Sequence, residues 1–305
     1  MSVPFIGFDE GEALIDWIGL TQALAAGHRL PRAEIGDTFL YRGKDTLLSR
    51  AAWIDGLGMA VKTATVFPGN PAQGVPMVNG AVCLYSDRDG TLEALIDFHL
   101  ITKWKTAGDS LLAALRLAPE GARHILILGA GTVGASLIEA FGAGFPGARI
   151  RVWNRSADKA EQLAARYPGT DVARDLETAV READIILTAT MSSDPVIRGE
   201  WLRPGQHLNL IGAYRPDMRE ADDDAIARAT VYVDSFATTI GHIGEIETPL
   251  KTGVIAREDI RADFYDLARF ARGGPDEITF FKNGGGAHLD LMTGAHVLAK
   301  WKAAR

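Results

Sequence analysis

The chain has 305 residues, 47% of them apolar, and a net charge of −7, which is enough material for two domains with separate cores. The acidic balance and the absence of Lys/Arg runs exclude nucleic acid as a partner, since its backbone is held by clustered cations. No apolar run is long enough to span a membrane, and the opening MSVPFIGFDEGE has neither a basic segment nor an apolar signal core, so a cytoplasmic protein with a small-molecule ligand is expected.

Residues 58–70 (GMAVKTATVFPGN) and 76–97 alternate strand-like runs with turn signals at Pro68-Gly69-Asn70 and Asp87 to Gly90, which predicts a mixed, mostly antiparallel sheet. Cys83 lies in the apolar run AVCLY and is read as a buried structural thiol. A helix of about 18 residues follows, from His99 to Ala118, stopping before Pro119 and Gly121. Next comes the strand HILILG, a turn with Gly129, Gly131 and Gly134, a helix ASLIEAFGAG and the strand ARIRVW, which ends in Asn154-Arg155-Ser156. In such a unit the glycines serve a tight turn, close approach of backbone to pyrophosphate, and close helix–strand packing, with the helix N-terminus facing the phosphates. An acid about 20 residues past the glycines would bind a ribose 2'-hydroxyl. Here the strand ends in Asn-Arg-Ser, where Arg155 with Asn154 and Ser156 suits a 2'-phosphate, so NADPH is expected over NADH. The alternative is a solvated Arg155 with Asp158 on the ribose.

Further on, helices near 157–167 and 176–182 alternate with the strands DIILTAT, HLNLIG and TVYVD. Nearly continuous apolar strands alternating with helices predict a parallel sheet covered on both faces. The last segment, from Ile278, reads as a glycine turn, Gly284-Gly285-Gly286, followed by a helix that returns to the first domain. The expected fold is α/β: a Rossmann doubly wound parallel sheet over 119–280, and a mixed α+β substrate-binding and dimerisation domain from 1–118 with 281–305. Seven scattered histidines show no metal-ligand spacing, so no catalytic metal is expected. His124 and His207 open strands, where capping or solvent exposure explains them.

Six blocks in fixed order resemble the ornithine cyclodeaminase and mu-crystallin family: VKTATVFPGNP, LITKWKTAGDSLLAALRLA, the glycine block, DIILTAT, LNLIGAYRPDMRE and ITFFKNGGGAHLD. The resemblance implies a Rossmann domain, a dimerising domain built from both chain ends, and hydride transfer at a carbon beside a carboxylate. It places Thr106, Gly129, Gly131, Thr132, Val133, Gly134, Asn154, Arg155, Ser156, Thr188, Ala189, Thr190 and Gly212 at the nucleotide. It makes Arg32, Lys62 and Lys105 the cations that hold the substrate carboxylate in a dry pocket. A snorkelling surface lysine is the alternative for Lys62. Arg50 is a second possible clamp, and Gly284 either widens the pocket or simply turns the chain into the helix. Asp290 is read as a cap or brace of that helix.

Two departures bear on the reaction. The family's Arg-Thr pair is Lys105-Thr106, a point charge in place of a bidentate fork. Tyr214 stands where cyclodeaminases and related alanine dehydrogenases carry an aspartate for the substrate's amino group. Reduction of a preformed cyclic imine does not need that acid, and mu-crystallin-like ketimine reductases also lack it and use NADPH. The resemblance therefore implies an NADPH-dependent ketimine reductase acting on 1-pyrroline-2-carboxylate or 1-piperideine-2-carboxylate. The alternatives are ornithine cyclodeaminase, an amino-acid dehydrogenase, and an NADPH-binding protein without catalysis.

Overall fold

The structure, a computed structural model, describes residues 3–305. It divides into two compact units, 1–105 with 286–305, and 106–285. The expected boundaries are 118/119 and 280/281, so the first junction lies 13 residues earlier and the second 5 residues later than expected.

The first unit begins with strand β1 (Phe5–Ile6) and helices α1 (Phe8–Glu12) and α2 (Trp17–Gly27). Asp16 caps α2, its carboxylate accepting from the Gly19 amide at 2.7 Å. Strands β2 (Glu34–Arg42), β3 (Asp45–Ile54), β4 (Gly58–Val66), β5 (Val78–Tyr85) and β6 (Leu92–Asp97) complete a six-stranded sheet in the order β1-β6-β5-β4-β3-β2. Every pair is antiparallel except β1 with β6. Successive residues of β4 alternate in burial, with Ala60, Lys62 and Ala64 on the covered face, because side chains of a strand point to opposite faces in turn. Small residues at 60 and 64 leave room for a helix on that face, and Lys62 stands where the pattern calls for an apolar side chain. The half-buried Cys83 sits on the other face of β5, so it is not the fully buried thiol expected.

Helix α3 (Phe98–Leu117) carries the chain onward. Its second half belongs to the second unit: the Ser110 carbonyl accepts from Asn209 at 2.8 Å, and the Leu117 carbonyl accepts from Arg272 at 2.7 Å. That is why the first junction lies inside the helix.

The second unit runs through β7 (His124–Leu128), α4 (Thr132–Gly144), β8 (Arg149–Trp153), α5 (Ala157–Arg166), β9 (Thr170–Val172), α6 (Leu176–Glu182), β10 (Ile185–Thr188) and β11 (His207–Leu210). It continues through α7 (Asp223–Ala227), β12 (Thr230–Val233), α8 (Phe236–Thr239), α9 (Gly244–Thr252), β13 (Ile260–Ala262) and β14 (Thr279–Lys282). The eight strands form one sheet in the order β13-β12-β14-β11-β10-β7-β8-β9, all parallel. Strand order reverses between β7 and β10, and in open sheets of this kind ligands bind beyond the carboxyl ends of the strands at that point. Strands β10, β11 and β14 are buried at every residue, as two covered faces require. Because β14 lies between β11 and β12, the chain stays with this unit through Gly285. Helix α10 (Ala287–Ala303) then returns to the first unit and packs on β4, β3 and α2. No helix of the described residues is long and apolar enough to cross a membrane.

Candidate active site

The glycine turn at the end of β7 has the geometry its spacing implies. Gly129 adopts φ of +113°, and a Cβ there would collide with the Ala189 carbonyl, so two loops at the switch point touch backbone to backbone. A Cβ on Gly134 would collide with the Gly129 carbonyl, while one on Gly131 would meet open space. Gly131 is the N-cap of α4 and offers no side-chain cap. The first amides of this helix therefore face the opening with their dipole, the arrangement that binds phosphate. Thr132 is exposed and Val133 half-buried in the first turn.

Asn154 is occupied locally: its Oδ1 accepts from the Ala130 amide at 3.2 Å and its Nδ2 donates to the Ser156 carbonyl at 3.0 Å. It braces the glycine turn rather than pointing freely at a ligand. Arg155 and Ser156 are exposed beside it. These residues fit a nicotinamide nucleotide, with Arg155 and Ser156 available to its ribose.

The neighbouring loops are tied by an acid not singled out in the sequence. Glu220 Oε1 accepts from the Thr190 amide at 2.7 Å and the Thr190 hydroxyl at 2.8 Å, and Oε2 accepts from the Gly212 amide at 2.7 Å and the Ala213 amide at 3.2 Å. Thr188 is buried at the end of β10. Gly284 and Gly285 donate their amides to Asp234 Oδ2 at 2.9 and 2.6 Å, and a Cβ on Gly284 would lie 2.6 Å from the Thr239 hydroxyl. Gly284 thus makes a tight turn around Asp234, not a widened pocket. Thr106 is half-buried in α3, where its carbonyl accepts from Asn283 at 3.1 Å. Tyr214 is 54% exposed and lies beside Arg215, which is itself paired with Asp217 at 2.9 Å.

In the first unit the predicted cations sort differently. Lys62 on β4 and Lys105 on α3 are 6% and 8% exposed. Both approach one oxygen of Asp290 on α10: Lys62 Nζ to Oδ1 is 3.0 Å and Lys105 Nζ to the same Oδ1 is 3.5 Å. Lys62 also donates to the Thr102 hydroxyl at 2.8 Å, with its ammonium 4.5 Å from the centre of the Phe98 ring. It is therefore no snorkelling surface lysine. Burial, aided by the charge on Lys105 and opposed by Asp290, pushes its pKa down to about 8. For Asp290, burial works upward, but Lys105 and Lys62 outweigh it and hold the carboxyl below its usual range.

Asp290 does not cap α10, whose N-cap is Gly286; its fully buried carboxylate instead braces the helix against β4 and α3 through the two lysines. The clue was an acid inside the apolar run AHLDLM. Arg50 lies directly opposite Lys62 in the β3–β4 register, but its guanidinium forks onto Asp37 at 3.0 and 2.8 Å, so that fork is already engaged. Arg32 is exposed on the connection into β2. His207 is not solvated: it is fully buried, its Nδ1 is 2.9 Å from the Thr279 hydroxyl, and burial pushes its pKa down to about 3. His124 is half-exposed near Asp184.

Residues 53–305 match the model of the Ornithine cyclodeaminase/mu-crystallin family. The chain belongs to that family. It is 48% identical, over 96% of its length and 95% of the relative's, to a Delta(1)-pyrroline-2-carboxylate reductase of Paracoccus denitrificans. It is 33% identical to the ketimine reductase mu-crystallin of Mus musculus, over 81% of this chain and 77% of the relative. Its fold matches the structure of Thermococcus litoralis Delta(1)-pyrroline-2-carboxylate reductase in complex with NADH and L-proline, with a TM-score of 0.89, 24% identity and 98% of both chains covered.

Proposed function

We propose that this family member is an NADPH-dependent reductase of cyclic ketimine carboxylates, converting 1-pyrroline-2-carboxylate to proline and 1-piperideine-2-carboxylate to pipecolate. The observation that carries this reading is the buried pair Lys62 and Lys105 sharing one carboxylate oxygen. Two ammonium groups and one carboxylate leave an excess of one positive charge in a dry place, which suits a monoanionic substrate. The 48% identity to a pyrroline-2-carboxylate reductase supports the same substrate class.

When bound, the nicotinamide nucleotide supplies the hydride that the imine carbon takes. The chain's own residues supply the rest. Lys105 and Lys62 hold the substrate carboxylate, with Arg32 as a further cation, and Arg50 adds positive field from β3. As the C=N electron pair moves onto nitrogen, that nitrogen takes a proton, and Lys62 Nζ is the donor. With a pKa of about 8, it is charged at neutral pH yet releases its proton more readily than an ordinary lysine. Tyr214, in the aspartate's place, supplies no carboxylate to accept a proton from a substrate ammonium group, which favours reduction over cyclodeamination.

For the cofactor, Arg155 and Ser156 at the strand end favour NADPH, although the Thermococcus structure holds NADH. A homodimer is supported by β2, whose residues are exposed from end to end. Phe39, Leu40 and Tyr41 there are 47%, 60% and 73% exposed, a patch of the kind that pairs with another surface.

The test is NADPH oxidation by purified protein with each cyclic imine, repeated with NADH and with pyruvate plus an amine. Turnover with NADPH and a cyclic imine is the expected result. Ammonia release from ornithine without net nucleotide consumption would establish the lyase instead, and amine-dependent oxidation with pyruvate would establish a dehydrogenase.

A further inference from the structure

We propose that Asp290 is a positioning residue for the reduction: through its single oxygen Oδ1 it holds the ammonium groups of Lys62 and Lys105 together and sets the charge state in which Lys62 works. The last part of this proposal, that the Lys62 proton is used in turnover, rests on the reductase reading above. The remainder rests on geometry.

Three charged side chains from three elements converge, on β4, α3 and α10, and none is more than 8% exposed. Lys62 and Lys105 lie 3.0 and 3.5 Å from the same atom, while Asp290 Oδ2 is buried and has no hydrogen-bond partner among the described residues. A carboxylate that only fastened a helix would be expected to satisfy both oxygens. This one is committed to the lysines from one side only. Two ammonium groups brought together away from water repel strongly, and a carboxylate between them lowers the local charge from two to one. Other groups around Lys62 do not take over this task. Arg50, on β3, adds positive charge and tends to deprotonate Lys62 further. His288, on α10, is driven well below its ordinary pKa chiefly by burial, with His28 at the C-cap of α2 adding to the effect, so it is neutral. Asp290 is thus the negative partner that opposes burial, Lys105 and Arg50 at Lys62.

Two substitutions should move Lys62 in opposite directions. Asp290→Asn keeps the shape and removes the charge, so Lys62 should lose its proton at lower pH, by about one unit or more. Lys105→Met removes the repulsion and should move the same titration upward. The measurement is twofold: kcat/KM for 1-pyrroline-2-carboxylate between about pH 6 and 10, and the pH titration of the Lys62 Cε resonance by NMR in the protein alone. The substrate's own ionisation is common to all variants, so differences among them report the protein. Expected results are an alkaline limb that shifts down in Asp290→Asn, with activity recovering toward the wild-type value at low pH, shifts up in Lys105→Met, and lies near the wild type in Asp290→Glu. A loss in Asp290→Asn that is equal at every pH, with the Lys62 titration unmoved, would make Asp290 merely structural and overturn the proposal. If Asp290→Asn fails to fold, Lys105→Met and Asp290→Glu still decide, because an unmoved Lys62 titration in Lys105→Met sinks the shared-carboxylate arrangement. NMR shifts of the expected signs in a protein that reduces neither imine would leave Asp290's hold on the lysines standing and remove the reductase reading.

Discussion

Replacing Lys62 by Met separates what the buried lysine costs the fold from what it does in the reaction. Burial, with Lys105 and against Asp290, takes its pKa from 10.5 to about 8, while in the unfolded chain it keeps its ordinary value. Between those two values the unfolded chain binds more protons than the folded one, so stability rises with pH across the window. At about 1.36 kcal/mol per pH unit, this group alone adds about 2 kcal/mol by about pH 9.5 relative to neutral pH, and none of that gain is present well below pH 8. Turnover runs the other way, because the proton donor is charged below about pH 8 and lost above it. Met is unbranched and fills the channel left by the lysine stem, and Asp290 retains Lys105 at 3.5 Å. The variant should therefore lose the alkaline rise in urea-unfolding free energy that the wild type shows between about pH 7.5 and 9.5. It should also lose about 10²–10⁴-fold in kcat/KM, while its affinity for NADPH stays at the wild-type level. An identical alkaline rise in both proteins would refute the buried titration, and turnover close to wild type would remove Lys62 from the chemistry.

Arg155→Ala should raise KM for NADPH by about 10–100-fold, the worth of a charge-assisted hydrogen bond to phosphate, and leave kinetics with NADH unchanged. Equal losses with both nucleotides would dismiss Arg155 as the selecting residue. Glu220→Gln should destabilise the protein by about 1–3 kcal/mol in a urea titration and weaken nucleotide binding measured by calorimetry, since an amide cannot accept all four donors that Glu220 now holds; unchanged binding would mean the loops keep their shape without it. Leu40→Asp combined with Tyr41→Lys should shift sedimentation from dimer to monomer, and a wild type that sediments as a monomer would refute the dimer directly.

The parts legible in the sequence are those whose physics is local. The glycine turn is read over a dozen residues, and Gly129 and Gly134 show the close approaches that their spacing implies. Lys62 is singled out by the resemblance, as a cation in an otherwise apolar strand, and the structure shows it on the buried side of β4, whose side chains alternate between faces. The residues missed are joined across the chain. Asp290 is 228 positions from Lys62, and nothing within the helix itself shows what such an acid faces. Arg50 is a clamp candidate only through the resemblance, and its partner Asp37 comes from β2, a strand whose register with β3 is not legible in the sequence. His207 looked solvated as the first residue of its strand, yet β11 lies inside the sheet, where first and last residues are as buried as the middle ones.

The second unit shows the same logic in a different arrangement of charge. Lys282, at the end of β14, is fully buried and donates to the Leu210 carbonyl at 2.9 Å. Burial lowers its pKa, and Glu220, Glu245, Asp234 and Asp109 push it back up. Glu245 is raised to about 7, first by burial and then by Glu220, with Lys282 opposing. Three of these acids accept backbone amides of loops: Glu220 from Thr190, Gly212 and Ala213, Glu245 from Glu220 and Ala221, and Asp234 from Ser235, Gly284 and Gly285. Four of the loops concerned follow β10, β11, β12 and β14, at the carboxyl ends of parallel strands, where such sheets bind their ligands. Buried ion networks rarely improve stability over apolar packing, and the strands here are already held by their ladders and apolar faces. What apolar side chains could not do is accept the loop amides, so the acids fix the loop geometry and Lys282 limits the cost of burying them together.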